Sequence, residues 1–385
     1  MRVALVLAAV AAVIAAQTDG DYYTGTGSPS WDDGNDASTS TPASENYCAC
    51  TPKKIYLDIV FIVDASADMT SKTVGDATAT IQSTLLGLTF GTEFYQSNVA
   101  VLAYGDKVQT VKDFGTFRND NDIFAFSLPY LGGKATKMTD AILQASSMIS
   151  VVEREFTRGV IVLMSKSFNQ LDATNIREAS DAFQYDGGVF ITIDYSKGQG
   201  IKGLQDIATK GYYINDASSR PDSLNADMLY AFCDANCFCP DGLYPYGMAN
   251  PNTGREVPMG CYHVAEVASV YNAAEQNCLG QKGFVSTIHD NDKQVFLMGL
   301  FPPKSRYWIG FKNNGNGYEW ADGVQGGSIS WAPGNPVAGQ DCVYSQQTQG
   351  FSSSWFSAPC TDPLKNSMSY ACQLRPCDTE YDCFV

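Results

Sequence analysis

Histidine is almost missing from this chain of 385 residues: there are two, His263 and His289. Histidine is the side chain most often used for proton transfer near neutral pH. Neither copy has a motif partner such as a GxSxG nucleophile elbow, so enzymatic turnover is not expected. Positive charge is scarce as well, with 25 Lys and Arg against 41 Asp and Glu and a net charge of -16. Nucleic acid and anionic membranes demand clustered cations, so neither is an expected partner. Beyond the N-terminus no apolar stretch approaches the roughly 18 residues of a membrane span, and Phe384 and Val385 do not resemble a lipid-anchor tail. No membrane insertion is expected. There is no Asn-x-Ser/Thr sequon, hence no expected N-glycosylation. Cysteine, finally, is absent between Cys50 and Cys233.

Arg2 followed by the apolar run Val3 to Ala16 has the form of a signal peptide, residues 1–16, and implies a secreted, extracellular product. Residues 17–47 are rich in Ser, Thr and Gly and poor in aliphatic side chains, the composition of a disordered linker. All 12 cysteines lie beyond it: Cys48, Cys50, Cys233, Cys237, Cys239, Cys261, Cys278, Cys342, Cys360, Cys372, Cys377 and Cys383. In an oxidising compartment they are expected to pair rather than to bind metal. Their spacing marks a cysteine-free domain followed by a covalently stapled one.

In the first domain strands alternate with helices, which implies an α/β doubly wound, mostly parallel sheet. Its centre is Ile55 to Asp68, where the β-branched and aromatic run Ile59–Val63 reads as a strand buried on both faces. The pattern predicts a helix over Val74–Leu88, a strand pair Asn98–Tyr104 and Val108–Phe114, and further strands at Val160–Met164 and Val189–Ile193. Asp64 and Ser66 fall at the carboxyl end of the central strand, where such sheets bind ligands. They are candidates for a metal or anion site, and the alternative is that Ser66 or Asp68 caps the next helix.

The phrases DIVFIVDASAD, VAVLAYGD, LGGKATKMTDAI and RGVIVLMS, in this order, resemble a von Willebrand factor type A domain covering residues 48–237. That family holds a divalent ion through a DxSxS loop, a Thr and a distant Asp. The resemblance implies Asp64, Ser66 and Thr136 as ligands. Asp68 stands where the third loop residue is Ser, and Ser165 with Lys166 replaces Asp and Gly. The missing carboxylate and the added cation both disfavour Mg²⁺. Two readings stand for Asp64, Ser66, Asp68 and Thr136: a rearranged Mg²⁺ site, or a loop held by hydrogen bonds.

From Cys239 the chain reads CPDGLYPY, GCYHV, AAEQNC, FVSTIHDNDKQVF, YWIGF, YEWADG, WAPGNP, DCVY, SWFSAPC and YACQL, which resembles a C-type lectin-like domain over residues 239–374. The residues themselves show few regular elements, with helices expected near Val267–Cys278 and Asp290–Leu300, and the resemblance implies a stapled α+β fold with the pairs Cys239 with Cys261, Cys278 with Cys372 and Cys342 with Cys360. By remainder, Cys48 and Cys50 are expected to bond Cys233 and Cys237, in an order left open. Cys377 and Cys383 would then pair within a tail, residues 375–385. The family's sugar site is a Ca²⁺ clamp built on carboxylates. Here its positions hold Asn335-Pro336-Val337, Gln340 and Trp355-Phe356-Ser357, so Ca²⁺ at that site is not expected. Asp322 and Asp341 survive as structural or auxiliary positions. Trp308, Trp331 and Trp355 are expected in the core. Asn335, Gln340, Tyr344, Phe351 and Phe356 are the candidate ligand-binding residues, Phe356 replacing a polar ligand on a surface loop.

Together the two resemblances are similar to secreted nematode proteins that join these domains and are linked to defence against microbes. They imply recognition of glycans or microbial surfaces, with adhesion to an extracellular protein through the first domain as the alternative.

Overall fold

A computed structural model describes residues 48–381 apart from 153, 155, 199, 217–223, 251, 252, 326, 328, 351 and 365. The expected signal peptide, the linker, Phe351 and Cys383 lie outside the described residues.

Strand β1, Leu57–Asp64, is buried at every position. It lies inside a six-stranded sheet of order β3-β2-β1-β4-β5-β6, formed with β2 (Asn98–Tyr104), β3 (Val108–Lys112), β4 (Arg158–Ser165), β5 (Val189–Asp194) and β6 (Tyr213–Asn215). The pairings are parallel except β2 with β3 at the edge. Because side chains alternate along a strand, β1 supplies two cores. Ile59, Phe61 and Val63 pack with α1 (Ser71–Leu85) and with α6 (Leu224–Ala235) at its end. Val60 and Ile62 pack on the other side with α3 (Met138–Val152) and α4 (Ala173–Tyr185). Two shorter helices, α2 (Asp120–Phe124) and α5 (Lys202–Ile207), complete the unit. Helix α1 begins three residues before the predicted Val74, because Thr70 accepts a bond from the Thr73 N–H at 3.2 Å and caps it.

The second domain is more regular than expected, with two four-stranded sheets. One has the order β7-β8-β14-β9, formed by Tyr244–Ala249, Glu256–Val264, Ala371–Leu374 and Phe284–Val285; the other has the order β11-β10-β12-β13, formed by Tyr318–Trp320, Arg306–Asn313, Cys342–Gln349 and Ser352–Ala358. Its helices are α7 (Tyr271–Gly280) and α8 (Asn291–Gly299). Helix α7 starts later than the predicted Val267. Ser269 instead forms a bridge with Met368, its N–H donating to that carbonyl at 3.0 Å, and Val270 remains extended. Trp308 and Trp355 are fully buried, as expected of core residues.

The disulfides Cys239–Cys261, Cys278–Cys372 and Cys342–Cys360 are those the lectin-like resemblance implies. The open order at the base of the first domain resolves as Cys48–Cys237 and Cys50–Cys233. Cys377 is disulfide-bonded.

The two ends of the described chain meet. The Ala49 N–H donates to Asp378 Oδ2 at 3.1 Å and the Thr51 N–H to Thr379 Oγ1 at 2.8 Å, so residues 375–381 strap onto the base of the first domain. A second junction is electrostatic. Arg255, beside β8, places Nη1 3.0 Å from Oδ2 of Asp234 on α6, with 7% and 4% of the two side chains exposed. The same guanidinium donates to the Gly211 carbonyl at 3.2 Å and lies over Tyr212, and Asn250 donates to the other Asp234 oxygen at 3.1 Å. A pair this deeply buried offsets its lost hydration only when its remaining hydrogen-bonding groups are also met.

Candidate functional site

Asp64 ends β1 and has no exposed surface. The loop after it folds on itself: the Ser66 N–H donates to Asp64 Oδ1 at 3.0 Å and the Asp68 N–H to Ser66 Oγ at 3.2 Å. The Ala65 carbonyl accepts from the N–H groups of Leu131 and Gly132 at 2.8 and 3.1 Å, which draws the segment before Thr136 against the loop. Ser165, at the end of β4, lies with its Oγ 3.0 Å from Asp64 Oδ2 and 2.9 Å from the Ser167 carbonyl. A hydroxyl has one proton, so it serves one of these acceptors at a time.

Ser167, which the sequence reading did not single out, is the hinge of the cluster. Its Oγ is 2.8 Å from Asp68 Oδ2 and 3.5 Å from Asp64 Oδ2, so two carboxylates converge on one hydroxyl. Burial raises the Asp64 pKa above the ordinary carboxylate value; hydrogen bonds from Ser66 and Ser165 oppose this, and the neighbouring charge of Asp68 adds to it. Tyr104, buried beneath with its hydroxyl 3.4 Å from Ser165 Oγ, is pushed well above its ordinary range by burial. Asp68 does not cap α1, since Thr70 does. Neither does Ser66. Thr136 is exposed, and its N–H donates to the Gly105 carbonyl at 3.0 Å. Lys166 is exposed and forms no ion pair among the described residues, so solvent screens the repulsion that the sequence suggests.

The donors at this loop are all oxygens, two of them carboxylates, which suits a hard dication. Asp64, Asp68 and Ser66 are the residues that would hold Mg²⁺, with Ser167 turning its hydroxyl proton away. A bound ion would supply the positive charge that the two converging carboxylates lack.

The corresponding loop of the second domain is closed by its own side chains. Asn335 Oδ1 accepts from the Ser357 N–H at 3.0 Å, and Ser357 Oγ lies 3.3 Å from that oxygen and 3.2 Å from Gln340 Oε1. The Val337 N–H donates to the same hydroxyl at 2.8 Å. This set is neutral: two amide oxygens and a hydroxyl do not supply the charge that offsets Ca²⁺ dehydration. Among the described residues no group of three or more His, Cys, Asp or Glu could hold a metal. Asp341 accepts from Asn313 Nδ2 at 3.2 Å, a structural role.

Phe356 is not on a surface loop. It lies within β13, opposite Tyr344 of β12, and the two rings stack at 5.2 Å and 13°. Alternation along β13 sends Phe356 to the face opposite Ser357, so the structure separates it from Asn335 and Gln340. Tyr344 goes with Phe356, and Phe351 is outside the described residues.

The second domain also holds a buried polar cluster. Asp322 Oδ2 is 2.6 Å from His289 Nε2 and 2.8 Å from Thr287 Oγ1, and Lys293 Nζ donates to Thr287 Oγ1 at 3.1 Å and to Gln373 Oε1 at 2.9 Å. Burial would raise the Asp322 pKa, but the hydrogen bond and charge of His289, with Thr287, lower it on balance. Burial depresses the Lys293 pKa to about 8, against the pull of Asp322 and Asp290.

Residues 58–226 match the family model for the von Willebrand factor type A domain, and residues 267–372 match that for the lectin C-type domain. The fold is a von Willebrand factor type A domain followed by a disulfide-bonded C-type lectin fold. The chain is 25% identical over 367 residues to C-type lectin domain-containing protein 160 of Caenorhabditis elegans, an alignment that covers 87% of this chain and 56% of that protein. Over 104 residues it is 24% identical to the type-2 ice-structuring protein of Brachyopsis segaliensis, covering 26% of this chain and 60% of the relative. The chain thus spans little more than half of each curated relative's length. Among solved structures it is similar to the C-type lectin domain of murine dendritic cell inhibitory receptor 2 in complex with N-glycan, at 20% identity, a TM-score of 0.29, and coverage of 36% of this chain and 98% of that one. A calcium-independent type II antifreeze protein is similar at 22% identity, a TM-score of 0.29, and coverage of 36% and 96%.

Proposed function

We propose that this is a secreted recognition protein whose C-type lectin domain binds glycans, those of microbial surfaces included, without Ca²⁺ at the usual loop. The observation that carries the calcium independence is the closure of that loop by Asn335, Gln340 and Ser357 around one neutral hydroxyl. Its disulfides fit an oxidising, extracellular setting. Glycan recognition is the known work of similar lectin domains, and a role in defence against microbes follows from such a target. The protein acts by binding rather than turnover: generic ester, phosphate and glycoside substrates should remain unchanged, and turnover lost in Asp64→Ala would overturn that part. The main test is a glycan array probed with and without EDTA. Equal binding in both conditions supports the proposal. Binding that EDTA removes sinks the calcium independence, and no bound glycan in either condition sinks the glycan reading.

A second reading has its own observation. Asp64 and Asp68 converge on Ser167 at the ligand-binding edge of the first domain, which favours a Mg²⁺-bridged contact with an acidic extracellular protein. Calorimetry with Mg²⁺ and Mn²⁺ tests it, and no heat of binding in the wild-type protein rules it out.

A further inference from the structure

One face of the second-domain sheet changes from covered to open along three neighbouring strands. On β12 the same-face residues run from buried Cys342 through half-buried Tyr344 and Gln346 to exposed Thr348. On β13 they run from buried Ala358 through half-buried Phe356 and Ser354 to exposed Ser352, and on β10 from buried Trp308 to exposed Arg306. Tyr271, Ala274 and Cys278 of α7 pack with Trp308 and Cys342 at the covered end, and Tyr344 is only partly buried against that cluster. The register sets Arg306, Gln346 and Ser354 in one row and Trp308, Tyr344 and Phe356 in the next.

The open end has a definite chemistry. The Arg306 guanidinium lies over the Tyr344 ring, 5.8 Å from its centroid, and Tyr344 stacks on Phe356. No acidic side chain pairs with Arg306 among the described residues, although acids outnumber bases 41 to 25 in the chain. The Gln346 and Ser354 side chains have no hydrogen-bond partner there either. Aromatic faces stack on the C–H faces of sugar rings, an amide and a hydroxyl meet sugar hydroxyls, and a guanidinium matches a carboxylate as a planar fork. The charge also selects among acidic ligands. One exposed arginine on a chain of net charge -16 suits a saccharide with a single carboxylate on the contacted ring, whereas a polysulfated polymer needs clustered cations.

We propose that the open sheet face formed by Arg306, Tyr344, Gln346, Ser354 and Phe356 binds a uronic acid-bearing saccharide. This rests on the glycan-binding reading and names its ligand and its place, on the opposite face of β13 from the closed loop. The test is calorimetry of the full chain with a glucuronic acid-terminated disaccharide, its neutral glucose counterpart and a sulfated disaccharide, all in EDTA. The uronate should bind about tenfold more tightly than the neutral sugar, a preference that Arg306→Gln removes, while Phe356→Ser weakens both. Thermal melts of both variants establish that they fold, and Arg306→Lys, which keeps the charge but loses the fork, should recover only part of the preference. Equal binding of uronate and neutral sugar, stronger binding of the sulfated sugar, or a preference untouched by Arg306→Gln overturns this proposal and leaves glycan binding standing. If none of the three sugars binds and the array is also blank, both fail together.

Discussion

Asp64 and Ser357 occupy comparable places, each beside a loop that related domains use for a cation, and each loop differs from the pattern of the family it resembles. The consequences are opposite. In the first domain Ser165 replaces an acid, but Asp68 returns a carboxylate, and the two acids meet across Ser167. In the second domain no carboxylate is left at the clamp positions: Val337 and Phe356 are apolar, and the amides of Asn335 and Gln340 and the Ser357 hydroxyl satisfy one another. Asp64, Ser66 and Thr136 keep the first family's pattern, whereas every clamp position of the second has changed. What separates them is charge: the first loop brings two carboxylates together, which would favour a cation there, and the second is a neutral hydrogen-bonded knot.

The comparison assumes that both loops are carried on one frame. Replacing Arg255 by Ala leaves buried Asp234 without its guanidinium and should cost about 3–5 kcal/mol, the largest effect expected. Calorimetry should then resolve separate transitions for the two domains. A single unchanged transition would mean that they were never coupled through this pair.

The buried polar cluster of the second domain provides the next test. Burial lowers the folded Lys293 pKa from 10.5 to about 8. Stability linked to this group is therefore fully present above 10.5 and is lost as pH falls through about 8, on the order of 3 kcal/mol in all. Lys293→Met removes that dependence, so the gap in stability between variant and wild type should shift in the variant's favour between about pH 10 and about pH 7. A gap that does not change with pH would show that Lys293 is solvated.

Magnesium tests the charged loop directly. At about a hundredfold excess over its dissociation constant the ion should stabilise the protein by about 2.7 kcal/mol, and Asp64→Asn should abolish the gain. Ser165→Asp with Lys166→Gly should tighten binding further. No gain in that double variant would mean that the loop geometry, and not the charge, limits the site.

The smallest effect is expected at the neutral loop. Asn335→Glu, Gln340→Glu and Ser357→Asp together restore carboxylates, and a weak Ca²⁺ site at tenfold excess would add about 1.4 kcal/mol in a thermal melt. Wild type should show no Ca²⁺ effect. Stabilisation of the wild type by Ca²⁺ would erase the contrast between the loops.

Much of this was legible in the residues. The run around Ile59–Val63 announced a strand buried on both faces, and β1 is that strand. The identities at 335, 340 and 357 announced a neutral loop, because charge is a property of composition. What could not be read was which side chains meet. Ser167 comes near Asp68 only because β1 and β4 are neighbours in the sheet. Phe356 is expected on the sugar loop because it stands where the family has a polar ligand, yet in a strand one residue is the distance between opposite faces, and Phe356 lies on the other face from Ser357.

The sequence alone determined the α/β alternation of the first domain, the surplus of negative charge and the chemistry available at each loop, since these follow from residue type and local period. The C-type lectin character of the second domain was read from its resemblance to that family. Tertiary structure decided the pairing Cys48–Cys237 over its alternative, the strap of residues 375–381 on the first domain, the burial of Arg255 against Asp234 and the side on which Phe356 lies. Each of these joins groups distant in sequence or depends on strand register, and no local preference along the chain encodes either.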